Sequence, residues 1–280
     1  MPGPSIAPPE TTGAASNLAM RVLAALVLAP LAIAAAYVGG KLWLVLAALT
    51  AIGLFGEWLV MTGGARIAVL GPGIFALVMI AAALGLGDLG AALICALAAM
   101  MAMAAFATPD LRLWSALGLC YAAAALIAVV LVRLGEGGFT GLLFVFLVVW
   151  VTDILGYFAG RGIGGPKLWV RVSPKKTWAG AVGGFAGSLA VALSFAEAGF
   201  GRMLPLLGFA ALLSVVSQLG DLFESAVKRR FGVKDSSHII PGHGGLLDRL
   251  DGFVAAIVAA AVIVMLRGGA GGSGSGLLNW

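Results

Sequence analysis

Nine apolar runs of about twenty residues, separated by short polar segments, take up most of this 280-residue chain. They lie at about 18–38, 42–61, 66–86, 89–107, 113–132, 139–160, 178–197, 203–224 and 248–266. An α-helix needs about 20 residues to cross roughly 30 Å of hydrocarbon, and in lipid every backbone polar group must be satisfied within the spanning element. Together these facts predict an all-α polytopic integral membrane protein with nine transmembrane helices. Pro30 is tolerable within the first run, because neighbouring helices can satisfy the carbonyl it frees. The composition, 61% hydrophobic and 10% charged with a mean hydropathy of +1.09, excludes an ordinary soluble domain.

Four segments follow. Residues 1–16 read as a disordered N-terminal tail, 17–138 as N-terminal transmembrane helices, 139–267 as a catalytic transmembrane region, and 268–280, rich in glycine, as a flexible C-terminal tail. Cys95 and Cys120 both lie inside apolar runs and read as buried, inert thiols. The glycine pairs Gly156/Gly160, Gly180/Gly184 and Gly183/Gly187 are spaced by four and offer small faces for close helix crossing.

A pI near 9.6 and a net charge of +5 raise the question of nucleic acid. The charges sit in short loops between apolar runs, however, which fits anionic headgroups and phosphate substrates and not nucleic acid. Nine spans put thirteen of the seventeen basic residues on the side of the N-terminus and of the loops 161–177 and 225–247, leaving Lys41, Arg133, Arg202 and Arg267 on the other. The positive-inside rule turns the richer side to the cytoplasm. The chain is thus expected to be a multi-pass protein of the cell's inner membrane, with its two basic loops on the cytoplasmic face.

The ionisable residues concentrate in two stretches. In Gln218–Gly252, five carboxylates, five Lys/Arg and both histidines fall within 35 residues. Ser214, Gln218, Asp221, Ser225 and Lys228 recur at spacings of four, three, four and three, so they share one narrow helical face. Val215, Val216, Leu219, Leu222, Phe223 and Val227 make the opposite side apolar. After Gly232, the segment Pro241-Gly242-His243-Gly244-Gly245 is too glycine-rich for a helix and reads as a loop whose backbone can approach a ligand closely. Asp248 and Asp251, three apart, then open the last run. With Asp221 they make a candidate site for a hard cation, since magnesium takes oxygen ligands and keeps phosphate and water in its shell. Zinc is a poor fit, because two histidines without cysteine or a helical His spacing are a weak ligand set.

In the second stretch, Trp150–Gly180, Asp153 is a carboxylate inside an apolar run, where an unpaired charge costs about 3 kcal/mol. Arg161, two turns on, is placed to pair with it or to share a ligand. Gly160–Lys167 only superficially resembles a phosphate loop, since it lacks Gly-Lys-Ser/Thr after a strand. In Ser173-Pro174-Lys175-Lys176-Thr177-Trp178, two ammonium groups and two hydroxyls precede a helix start, an arrangement suited to holding a polyphosphate.

Both stretches resemble the phosphatidate cytidylyltransferase family. Ser225-Ala226-Val227-Lys228-Arg229, Lys234-Asp235 and the run from Pro241 to Asp251 fill each fixed position of the family signature across 27 residues. Asp153, Tyr157, Gly160, Arg161 and Ser173–Trp178 resemble its second motif, with Ala179 where the family carries Glu, and Glu57-Trp58 also looks like the family. The resemblance implies transfer of a cytidylyl group from CTP to phosphatidic acid within the lipid bilayer, with Mg2+ as cofactor. Asp221 and Asp248 are then the expected metal ligands, and these two with Lys228 and Arg249 the expected catalytic residues. Asp153, Arg161, Ser173, Lys175, Lys176, Thr177, Ser225, Arg229, His243, Gly244, Gly245 and Asp251 are the expected substrate contacts. A homodimer is compatible with this architecture. Two other classes stay open at this level: a CTP-dependent polyprenol or lipid kinase, and an ion-coupled transporter, against which the glycine loop and the lack of an internal repeat both speak.

Overall fold

A computed structural model describes residues 27, 29–134, 137–237, 244–268 and 277–278, with only the backbone for 104–106. It is an all-α polytopic protein carrying one small hairpin. The helices are α1 (Ala29–Val38), α2 (Gly40–Thr62), α3 (Ile67–Gly85), α4 (Leu89–Phe106), α5 (Arg112–Arg133), α6 (Gly138–Gly162), α7 (Trp178–Glu197), α8 (Met203–Arg230) and α9 (Leu247–Gly268). Among the described residues seven helices are long and apolar enough to cross a membrane, whereas Ala29–Val38 and the Leu89–Met103 segment of α4 are shorter. The first half of the expected 18–38 span and the tail 1–16 lie outside the described residues.

Close approach of these helices depends on missing side chains. A Cβ on Gly180 would stand 2.7 Å from the Gly156 carbonyl, and Gly183, Gly184 and Gly187 press equally hard on Ala159, Thr152 and Leu155, so α6 and α7 meet backbone to backbone. Similarly, a Cβ on Gly220 would fall 2.8 Å from the Asp251 carbonyl, which brings α8 against α9 beside Asp221 and Asp251. In the N-terminal half, α2 is locked by its aromatics. Phe55 fills the notch at Gly73 of α3, and Trp58 fills that at Gly118 of α5 while its indole N–H donates to the Trp114 carbonyl at 2.8 Å.

Two features differ from the sequence expectation. The loop 161–177 is partly a β-hairpin, β1 (Lys167–Trp169) antiparallel to β2 (Ser173–Thr177), with Lys167 opposite Thr177 and Trp169 opposite Ser173. Gly164 and Gly165, at φ +71° and +88°, make the turn from α6 into β1, a conformation that L side chains rarely adopt. The second difference concerns the glycine-rich tail, expected to be flexible. At Leu277 and Leu278 it is docked, since both are buried, packing against Gly141 and Gly201.

Candidate active site

The hairpin, α6, α7 and α8 surround a cavity of about 560 Å³. Asp153, Tyr157 and Arg161 reach it from α6, Lys167, Lys175, Lys176 and Thr177 from the hairpin, and Gln218 and Asp221 from α8. Of the expected substrate contacts, the structure therefore gathers Asp153, Arg161, Lys175, Lys176 and Thr177 around Asp221. Lys176 ion-pairs with Asp221 at 2.5 Å, their side chains 28% and 33% exposed, and the Ser225 hydroxyl donates to the same carboxylate at 3.4 Å. Asp153 and Arg161 do not pair: the Arg161 guanidinium donates to the Tyr157 hydroxyl at 2.9 Å.

Local folding explains the placement of the lysines. Thr177 caps α7, its hydroxyl accepting the Gly180 N–H at 3.1 Å, and the Trp178 N–H donates to the Pro166 carbonyl at 3.1 Å, closing the base of the hairpin. This cap places Lys175 and Lys176, the last residues before it, directly ahead of a helix N-terminus that lines the cavity. Ser173 pairs with Trp169 in the hairpin and is not among the lining residues.

A second cluster lies along α8. Lys228, two turns beyond Asp221 on the same face, is ion-paired at 2.6 Å with both Glu224 and Asp248. The other oxygen of Asp248 accepts from the Ser236 N–H at 2.9 Å, the Ser236 hydroxyl at 2.9 Å and the Gly245 N–H at 2.8 Å. Gly244, at φ +81°, and Gly245 are packed so tightly beside Asp248 and Ser236 that a Cβ on either would collide. These glycines thus shape the nest around Asp248, while His243 lies outside the described residues.

Glu224, Ser236 and Glu57 are the members of this cluster that the reading of site residues missed. Glu224 had a signal, its spacing of four from Lys228. It is 1% exposed, and apart from the ammonium of Lys228 no described group satisfies its carboxylate. Glu57 had its charge inside an apolar run and the likeness of Glu57-Trp58 to the family, neither of which names its partners. Asp251 accepts from the Gly252 N–H at 2.7 Å, Arg229 donates to the Val233 carbonyl at 3.1 Å, and Arg249 is exposed.

The donor chemistry can be tested against a magnesium ion. No three His, Cys, Asp or Glu come together as a ligand set among the described residues. Magnesium needs no such cage, since one or two carboxylates and substrate phosphate usually suffice. Asp221, partly exposed at the cavity, fits that requirement. Asp248 carries four donors on its two oxygens and would have to give one up.

Comparison with known proteins gives the family of the chain. Residues 19–266 match the cytidylyltransferase family. The phosphatidate cytidylyltransferases of Brucella abortus (strain 2308) and Brucella suis biovar 1 (strain 1330) are each 41% identical over 263 residues, spanning 90% of this chain and 94% of theirs. That of Staphylococcus aureus (strain N315) is 48% identical over 116 residues, 40% of this chain and 44% of its own.

Proposed function

Since the chain belongs to the cytidylyltransferase family and transfers a cytidylyl group from CTP to phosphatidic acid, giving CDP-diacylglycerol and pyrophosphate, we propose how its residues divide that work. The observation that carries the proposal is the cavity in which the Lys176–Asp221 pair meets Arg161, Lys167 and Lys175 at the end of spanning helices.

The lipid phosphate is already an anion near neutral pH, so no side chain has to generate the nucleophile. What the reaction needs is alignment and neutralisation of charge. Lys167, Lys175 and Lys176 hold the CTP polyphosphate, with Lys176 exchanging Asp221 for phosphate oxygen, and Arg161 offers a planar fork to a phosphate. Lys228 faces the lipid phosphate, supported by Glu224 and Asp248, and Arg229, Arg249 and Ser225 add further contacts. An oxygen of the lipid phosphate attacks the α-phosphorus of CTP, the bond from that phosphorus to the β-phosphate oxygen breaks, and pyrophosphate leaves with the electron pair. Asp221 would hold magnesium, with Asp248 as the second carboxylate. When bound, the ion would neutralise the charge building on pyrophosphate. We also propose that α1 and α4 cross the membrane, which makes nine spans and turns the cavity to the cytoplasm. The diacylglycerol tails then enter from the side, in the inner membrane, while CTP arrives from the aqueous face.

Purified protein given phosphatidic acid and CTP with a chiral α-thiophosphate tests the mechanism. The expected result is pyrophosphate release, inversion at phosphorus and no CTP–pyrophosphate exchange without lipid. Retention, with exchange, would replace the one-step displacement by a covalent cytidylyl-enzyme. CDP as the nucleotide product would mean attack at the γ-phosphorus.

A further inference from the structure

We infer that Glu57, on α2 in the N-terminal half, is a positioning residue for the transfer site, acting through Ser236 and the start of α9 on Asp248. This rests on the proposed place of Asp248 and Lys228 in that site. Glu57 is 1% exposed, yet four donor groups lie within hydrogen-bond distance of its two oxygens. One oxygen accepts from the Ser237 hydroxyl at 2.7 Å and the Leu246 N–H at 2.8 Å, the other from the Ser236 hydroxyl at 3.1 Å and the Leu247 N–H at 2.7 Å.

The two backbone donors are those of Leu246, just before α9, and Leu247, its first residue, positions where N–H groups have no partner inside the helix. A carboxylate there satisfies them and complements the helix dipole. Usually the cap comes from the residue just before the helix. Here it comes from a separate helix, 189 and 190 residues away in sequence. Because α2 is itself keyed in place by Phe55 and Trp58, both nearly inaccessible, the cap fixes where α9 begins. Asp248 is the next residue after Leu247.

Ser236 makes the link more specific. Its hydroxyl lies 3.1 Å from Glu57 and 2.9 Å from Asp248 but has one proton to give. When it donates to Asp248, Glu57 keeps three donors. When it turns to Glu57, Asp248 is freed of one donor and the hydroxyl is still satisfied. Glu57 thereby lets Asp248 exchange a partner during turnover without stranding a buried polar group.

Glu57→Gln tests this, because either orientation of the amide sets an N–H against a donor. Turnover per folded protein should fall about 100-fold, as expected for a misplaced catalytic constellation, with KM for CTP nearly unchanged. Ser236→Ala should lower kcat as well, and the double variant should be no worse than the poorer single one, since the two act along one path. Ser237→Ala removes one of the donors to Glu57 and keeps the test open should Glu57→Gln not fold; it should lower kcat about threefold. Wild-type kcat in folded Glu57→Gln, or in Ser237→Ala where the former does not fold, would overturn the inference, as would multiplicative losses in the double variant. If Asp248→Asn turns over normally, the site assignment falls and the inference with it. If Asp248→Asn is inactive while Glu57→Gln is normal, only the role of Glu57 falls.

Discussion

Lys176 and Asp221 meet at 2.5 Å with 28% and 33% of their side chains exposed, whereas Lys228 meets Asp248 and Glu224 at 2.6 Å with exposures of 11%, 10% and 1%. The chemistry of the two stations is alike, an ammonium on carboxylates, and the surroundings separate them. At the first station, water competes for both partners and the pair is worth at most about 1 kcal/mol. Its ions are available to an arriving polyphosphate. At the second, each carboxylate oxygen of Asp248 is engaged, and removing one partner leaves a buried charge behind, which costs about 3–5 kcal/mol. The open station is suited to binding and release, the closed one to holding fixed charges where phosphates must be aligned.

The sharpest way to break this contrast is at the closed station. Asp248→Asn should abolish turnover and also lower stability by about 3 kcal/mol, because Lys228 loses a counter-charge and an amide N–H faces Ser236 or Gly245. Thermal unfolding in detergent beside the transfer assay reads both losses. A fully active or fully stable variant would show that the station is not closed in solution. Asp221→Asn should be nearly as inactive but cost no more than about 1 kcal/mol of stability, since its partner Lys176 is partly solvated. Activity and stability should therefore fall together at Asp248 and separately at Asp221. Near wild-type rates for Asp221→Asn at saturating magnesium would remove the metal assignment.

A smaller effect is expected from Lys176→Ala. Losing one ammonium–phosphate contact is worth about 1.5–3 kcal/mol, or roughly a 10- to 100-fold rise in KM for CTP. The stability should hardly change. A drop in stability comparable to that of Asp248→Asn would mean that the Lys176–Asp221 pair is structural and not exchangeable.

The same contrast explains what the sequence made legible. Helical periodicity alone places Asp221, Ser225 and Lys228 on one face, and hydropathy marks the runs that form α2, α3 and α5–α9. The helix start after Thr177 and the lysines before it were readable too, because helix starts have local signatures, whereas the cap itself emerged from the structure. What stayed hidden was long-range. Nothing near Glu57 in the chain announces Ser236 or Leu247, and the hairpin Lys167–Thr177 is too short and too polar for a period-two signal. Glu224 lay in plain view at i, i+4 from Lys228, beside the polar row of Asp221, Ser225 and Lys228 and not in it, so the periodicity that picked out the row passed it over. The spacing of Gly180, Gly183 and Gly184 suggested close packing without naming the partner, which proved to be α6.

The smallest expected effect comes from a carboxylate outside both stations, and it also tests how they sit in the membrane. Glu197 is exposed at the end of α7, 20 residues from the hairpin, so about 30 Å of helix separates it from the cavity. Glu197→Gln should leave activity and stability within about 0.5 kcal/mol of wild type. If instead it impairs turnover as Asp221→Asn does, then charge removal in general, and not the two stations, limits the reaction. That distance is also the thickness of the hydrocarbon, so single cysteines at Lys167 and at Glu197, in a background without Cys95 and Cys120, should label from opposite sides. With the cavity facing the cytoplasm, an impermeant thiol reagent applied to intact cells should reach the cysteine at 197, and the one at 167 only after lysis. Ser236 would be a poor reporter for this purpose, being 3% exposed, whereas Lys234, exposed two residues earlier, should behave as Lys167 does. Labelling of positions 167 and 234 from opposite sides would separate the open station from the closed one across the bilayer, and no single substrate phosphate could then meet both.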